Sequence, residues 1–175
     1  VPHIKEKDMA VIFNYAPDDV RVVIAGILNA DGFVDGTFVT INKDENPFRS
    51  RTTADGVVER IHRFSQTYTV DLTFHTGSTS NDFLTKLWQI DEVSKKGKFT
   101  LLIKDGSGSD LFFSATSWIE GLPSLVKSSN VDTRTWRIKC SAGGINFGNN
   151  TEVSGLVEDL VNIATSSLPS IGGII

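Results

Sequence analysis

Arg60-Ile-His-Arg-Phe-Ser-Gln-Thr-Tyr-Thr-Val-Asp-Leu-Thr-Phe74 is the stretch from which the fold is read. From Phe64 onward Phe64, Tyr68, Val70, Leu72 and Phe74 share one parity, whereas Ser65, Thr67, Thr69, Asp71 and Thr73 share the other. This is the period-two pattern of a strand with one face on a core and one in water. Read as one strand, the run spans roughly 50 Å at ~3.3 Å per residue, against about 40 Å for a compact domain of this chain length. Such a strand either bends or overhangs its domain. An overhang leaves backbone donors and acceptors unpaired, which predicts pairing with another element or another subunit.

Outward from this run, the chain reads as mainly β. Val20–Leu28 and Thr37–Asn42 flank Asn29-Ala-Asp-Gly32 and are predicted to be two strands of one sheet. Lys43 to Gly56 is polar and charge-dense, contains Pro47 and reads as a long loop. Its Asp44, Glu45, Phe48, Arg49 and Arg51 are candidate contacts to a neighbouring subunit, with a solvated loop as the simpler alternative. Thr79 and Asp82 resemble a capping box for a helix over about Asn81–Lys96, with Phe83, Leu84, Leu87 and Trp88 as its apolar stripe and Gly97 as its stop. Phe99–Lys104 and Asp110–Trp118 form a hairpin across Asp105-Gly-Ser-Gly-Ser, and Asn130–Cys140 adds a further strand. Together these elements predict an antiparallel β-sandwich or barrel with one flanking α-helix. Thr151–Thr165 has Val153, Leu156, Val157, Leu160, Val161 and Ala164 at helical spacing and leads to an apolar tail. Leu156, Leu160, Ile171, Ile174 and Ile175 are therefore candidate docking residues.

Composition narrows the function classes. The 175 residues, 39% hydrophobic with a net charge of −4, predict a folded domain and argue against a basic protein that grips nucleic acid by its phosphates. Cys140 is the single cysteine, which excludes an intrachain disulfide and suits a reducing compartment at synthesis. No apolar run approaches membrane-spanning length. His3, His62 and His75 have no metal-ligand spacing around them, and Gly106-Ser-Gly-Ser lacks the lysine and helix of a phosphate loop. Trp88, Trp118 and Trp136 each sit in amphipathic stretches and are predicted to pack in the core. No catalytic constellation and no cofactor site emerges, so a non-enzymatic role is expected.

Several short segments in order carry a family resemblance. Tyr15-Ala-Pro-Asp-Asp-Val, Ile24-Ala-Gly, Gly36-Thr-Phe-Val, Ile41-Asn-Lys-Asp, Pro47-Phe, Ala54-Asp-Gly-Val-Val-Glu-Arg, Ser80-Asn-Asp and Arg134-Thr-Trp resemble the tail tube proteins of contractile-tailed bacteriophages. The likeness runs from about Tyr15 to Gly148. It implies hexameric rings of this chain, stacked into a hollow tube in the virion after synthesis in the host cytoplasm. Sheath, baseplate and tail terminator proteins are the implied partners, with a tape measure protein in the lumen and DNA passing without specific binding. Ser65, Thr67, Thr69, Asp71 and Thr73 become the candidate lumen face, a lining of hydroxyls and carboxylate, while Phe64, Tyr68, Val70, Leu72 and Phe74 are expected to face the core. The chain departs from the family at both ends. That divides it into an arm over 1–14, a β domain over 15–148 and a helical extension with an apolar tail over 149–175, the last expected to brace neighbouring rings. Related folds build the inner tubes of type VI secretion and extracellular contractile injection systems, which are the nearest alternative. A monomeric β-sandwich carbohydrate-binding module is the alternative from another class.

Overall fold

The computed structural model describes residues 15–130 and 132–148. The arm over 1–14 and the extension over 149–175, with Leu156, Leu160, Ile171, Ile174 and Ile175, lie outside the described residues.

The central strand, β6 (Tyr68–His75), follows the predicted alternation: Tyr68, Val70, Leu72 and Phe74 are buried, and Thr69, Asp71 and Thr73 lie half-buried on the opposite face. On one side it pairs antiparallel with β9 (Thr133–Cys140), from Tyr68 opposite Cys140 to His75 opposite Thr133. On the other it pairs with β3 (Val39–Lys43), Val39 opposite Leu72. Beyond β9 the sheet continues through β8 (Leu111–Gly121), β7 (Phe99–Asp105), β1 (Val20–Ile24) and β2 (Leu28–Asn29), and β10 (Gly143–Asn146) joins the first half of β8. The predicted β7–β8 hairpin is present, Lys104 opposite Leu111.

Val20–Leu28, expected as one strand, is two. Ala25 (φ 56°) and Gly26 (φ 70°) reverse the chain so that β2 folds back on β1. Positive φ strains a residue with a Cβ, and the Ala25 N–H donating to the Thr100 carbonyl at 2.8 Å holds it there. The next few residues then touch both ends of the sheet. The Ala30 N–H donates to Val22 on β1, the His75 N–H on β6 donates to the Gly32 carbonyl (both 2.8 Å), and Phe33 bridges to Phe74 with their rings stacked at 4.8 Å. The sheet is thereby drawn round on itself into a barrel-like sandwich. This leaves fewer backbone groups on open edges than a flat sheet would.

The long strand Arg60–Phe74 is not continuous. Its first residues belong to β5 (Val58–His62), which pairs with β4 (Phe48–Thr52) as a separate two-stranded hairpin with every side chain exposed. The Arg63 N–H donates to the Pro47 carbonyl at 2.7 Å and closes the base of this hairpin, and the chain bends through residues 63–67 before β6 begins. The polar Gln66 had already broken the apolar parity. Phe64, expected in the core, is 81% exposed on that bend. The predicted loop Lys43–Gly56 accordingly contains a strand. It turns at Thr53–Gly56, where the Gly56 N–H (Gly56 φ 79°) donates to the Thr53 carbonyl and the Thr53 N–H donates to Val57.

Helix α1 (Ser80–Ser94) starts within a residue of its predicted position and closes the end of the barrel where β6 finishes. Leu84 is fully buried, with Phe83, Leu87 and Trp88 packed on the core. The expected Thr79–Asp82 capping box is absent: Thr79 makes no capping bond. The Ser78 hydroxyl instead accepts from the Ser80 N–H at 3.2 Å. Lys95 takes the left-handed cap conformation (φ 59°), and at Gly97 a Cβ would collide with Asp91. The helix is fixed to the sheet by one buried polar network. The Trp136 indole N–H donates to Asn81 Oδ1 at 2.9 Å, and Asn81 Nδ2 donates to the His75 carbonyl at 2.9 Å. Trp136 is thus in the core, and Trp88 packs on it, as predicted; Trp118 is not in the core and lies opposite Lys139 on the outer face, because Ser117 and Ile119 take the inward parity of β8.

Two outcomes follow from burial. Asn81→Ala should cost about 1–3 kcal/mol in chemical denaturation, since it leaves a buried indole N–H unpaired. Combined with Trp136→Phe the loss should fall below the sum of the two singles, and strict additivity would show that the bond contributes nothing. Cys140 is fully buried, and burial pushes its thiol pKa up despite a hydrogen bond from the Ser117 hydroxyl at 3.3 Å. A thiol reagent should therefore leave the native protein unmodified and label it fully once denaturant is added.

Candidate functional site

The outer face of β3, β6 and β9 is a continuous polar surface whose groups are matched pair by pair. Antiparallel register sets Thr69, Asp71 and Thr73 opposite Lys139, Arg137 and Thr135. Directly opposed side chains in a sheet lie close enough to bond, and each of these pairs does. Thr73 and Thr135 hydroxyls are 3.0 Å apart. Arg137 grips Asp71 with two parallel bonds, Nε to Oδ1 at 3.0 Å and Nη2 to Oδ2 at 3.2 Å. Lys139 Nζ lies 2.8 Å from Asp44 Oδ2 and 3.3 Å from the Thr69 hydroxyl, which itself donates to Asp44 Oδ1 at 2.6 Å. Asp44 reaches this face because it directly follows β3 and its N–H is held by the Thr67 carbonyl at 3.1 Å.

The electrostatics follow from the contacts. Burial tends to raise the Asp44 pKa, but hydrogen bonds from Lys139 and Thr69 outweigh it and hold the carboxyl below its usual range. The hydrogen bond to Asp44 raises Lys139 against the opposing effect of burial, and the hydrogen bond to Asp71 raises Arg137. Each cation is paired with a carboxylate, so the face carries charge without carrying a net excess of it.

The predicted site residues separate into three places. Thr69, Asp71 and Thr73 lie together on this polar face. Ser65 and Thr67 precede β6, their hydroxyls 3.1 Å apart on the bend. Of the expected contact loop, Asp44 is bound to the sheet, Glu45 is exposed, and Phe48, Arg49 and Arg51 stand on β4, where Arg51 pairs with Glu59 at 3.1 Å. On the other side of this hairpin Arg60 stacks 3.8 Å over the Phe48 ring. The polar face holds more than the expected hydroxyls and carboxylate, because Arg137 and Lys139 belong to the same surface. The signal for them was present: Thr133, Thr135, Arg137 and Lys139 share a parity opposite to Trp136, Ile138 and Cys140. Among the described residues, no cluster of His, Cys, Asp and Glu is placed to hold a metal ion.

Asp44→Asn should lower stability at neutral pH by up to about 1 kcal/mol, as expected for a partly shielded ion pair. Because the folded pKa of Asp44 is depressed, the unfolded state binds more protons in the window between the two values, and stability rises with pH through it. The wild-type advantage should therefore be full above about pH 4 and shrink as the pH falls through the folded value. Lys139, raised in the fold, keeps its contribution up to its unfolded value near 10.4 and loses it as the pH climbs through the folded one. An advantage of wild type that is flat across the acid limb in urea titrations would show that the pair is not formed.

No family model matches the chain. The chain is 31% identical over 152 residues to structural protein ORF10 of Pseudomonas phage KPP10, a match covering 83% of this chain and 88% of the relative. In fold it is similar to the tube-terminating cap of the anti-feeding prophage, with a TM-score of 0.53 at 15% identity over 83% of this chain and 99% of the other. With a phage structural protein as its relative across most of both lengths, the chain belongs to the family of phage structural proteins that includes ORF10.

Proposed function

We propose that the chain is the structural subunit of a phage tail tube, forming hexameric rings that stack into a hollow conduit for the genome. In this reading the polar face of β3, β6 and β9 lines the bore. The observation that carries it is the matched ladder on that face: Asp44 and Asp71 are each paired with a cation, and Thr73 with Thr135. A wall of unmatched lysines and arginines would retain phosphates, because each neutralised phosphate adds to binding. A wall of matched pairs gives passing DNA neither a site to bind nor a field to oppose it. The subunit catalyses nothing, resides in the virion tail, and works with sheath, baseplate, terminator and tape measure proteins.

A second reading, a cap that ends a tube, is favoured by the fold likeness to a tube-terminating cap. Negative-stain electron microscopy over a concentration series, with light scattering on the same samples, separates the two. Hollow tubes of stacked rings are the expected result. Single rings that do not stack, and that arrest growth when added to tubes, would replace the tube subunit with the cap. A monomer at every concentration, with or without a tube fragment to nucleate it, would overturn both.

A further inference from the structure

The sheet has a second outer surface, on β1, β7, the first half of β8 and β10, whose chemistry differs from that of the polar face. Between the buried residues of β1 and β7, Arg21, Val23, Thr100, Leu102 and Lys104 take the outward positions. On β8, Phe112 and Ser114 are buried while Leu111, Phe113 and Ala115 turn outward. Register carries one apolar row straight across these strands: Val23 stands opposite Leu102, Leu102 opposite Phe113, and Phe113 opposite Gly144. Gly144 offers no side chain to cover Phe113, which is 47% exposed, and Leu111 on the adjoining row is 40% exposed.

The charge on this surface has one sign. Its outward positions hold Arg21 and Lys104, directly opposite one another, and no carboxylate, and exposed Lys98 precedes β7. Like charges directly opposed in a sheet repel, and among the described residues neither Arg21 nor Lys104 forms an ion pair. Of the acids nearest in the chain, Asp105 is buried and accepts from the Ser107 N–H, and Asp110 accepts from the Gly148 N–H at 2.7 Å. Asp18 and Asp19 precede β1 on an exposed turn, and Glu120, on the second half of β8, acts on Arg137 and Lys139.

The rest of the chain departs from the edge of this surface. Asn146 stands outward opposite Leu111, and Gly148 is pinned to the β7–β8 turn by its bond to Asp110, so close to Ser109 that a Cβ would collide there. Residues 149–175 carry Glu152, Glu158 and Asp159 and no lysine or arginine, beside the apolar stripe that runs from Val153 to Ala164. The arm over 1–14 has no such bias, with Lys5 and Lys7 balanced by Glu6 and Asp8. We propose that residues 151–165 form a helix that packs its apolar stripe on Val23, Leu102, Leu111 and Phe113 of the same chain, with its carboxylates toward Arg21 and Lys104. At ~1.5 Å per residue this helix is about 22 Å long, and the row from β10 to β1 is roughly 14 Å at ~4.8 Å between strands. The helix therefore covers the row from end to end. Asn149 and Asn150 make so short a link that the helix meets its own subunit at a far higher effective concentration than any other. The docking needs no second copy and does not rest on the tube reading. The extension expected to brace neighbouring rings is thereby held on its own subunit.

Hydrogen exchange read by mass spectrometry on the full chain, over a concentration series, tests the contact. The amides of residues 151–165 should exchange at least about tenfold more slowly than those of an isolated peptide of the same sequence, and to the same extent at every concentration. Phe113→Asp and Leu102→Asp change outward positions and leave the buried core intact, which circular dichroism verifies, and each should abolish the protection. Arg21→Glu with Lys104→Glu should speed exchange in the same amides, because like charges then meet across the contact. Wild-type amides that exchange as the peptide does, protection that survives Phe113→Asp, or a charge reversal without effect would each overturn the proposal. Protection that grows with protein concentration would overturn it in favour of docking on a second copy. Loss of protection over 1–14 rather than 151–165 in Phe113→Asp would assign the surface to the arm instead.

Discussion

The antiparallel pairing of β6 with β9 is the constraint on which the rest of the molecule depends. Its register puts Val70 opposite Ile138 and Leu72 opposite Trp136 on the buried face, and in the same step aligns Thr69, Asp71 and Thr73 with Lys139, Arg137 and Thr135 on the outer one. Because the side-chain period is two, a slip of one residue would exchange the faces. It would bury the ion pairs without compensation and expose the core, so burial and the salt-bridge ladder select the same register. Helix α1 depends on this pairing as well. Asn81 seats α1 by bonding the Trp136 indole of β9 and the His75 carbonyl at the end of β6.

What could be read from the sequence followed the strength of the pattern. β6, the β7–β8 hairpin and α1 announced themselves through clean periodicity and turn residues, and each is present close to its expected position. β4 gave no such signal. Phe48-Arg-Ser-Arg-Thr52 has no apolar face because it packs on no core, so a strand exposed on every side reads as a polar loop. The error at Arg60–Phe74 has the same origin. Only part of the run borders the core, and the bend is set by a hydrogen bond between Arg63 and Pro47, distant in sequence and invisible to any local pattern.

The polar face was legible in half. One strand of a ladder can be recognised by alternation, but its chemistry is decided by the strand opposite. Asp71 alone suggests an acidic surface, whereas Asp71 against Arg137 makes a paired one. Asp44 lay in what seemed a free loop and was drawn to the sheet by Lys139, far away in the chain. Closure of the barrel was equally hidden, since it rests on Phe33 and Gly32 meeting β6 after an irregular stretch that has no periodicity of its own.

The unlike ends of the barrel have a geometric consequence. One end carries α1, and the β4–β5 hairpin leaves from the other, between the end of β3 and the start of β6. A molecule with such ends is an arrow. Any array of copies sharing an orientation inherits the arrow's direction, so its two termini differ in chemistry: one offers helices, the other offers hairpins. Such an array cannot be lengthened or sealed by the same partner at both termini, and a sense of travel along it is encoded in every subunit before a second one is added.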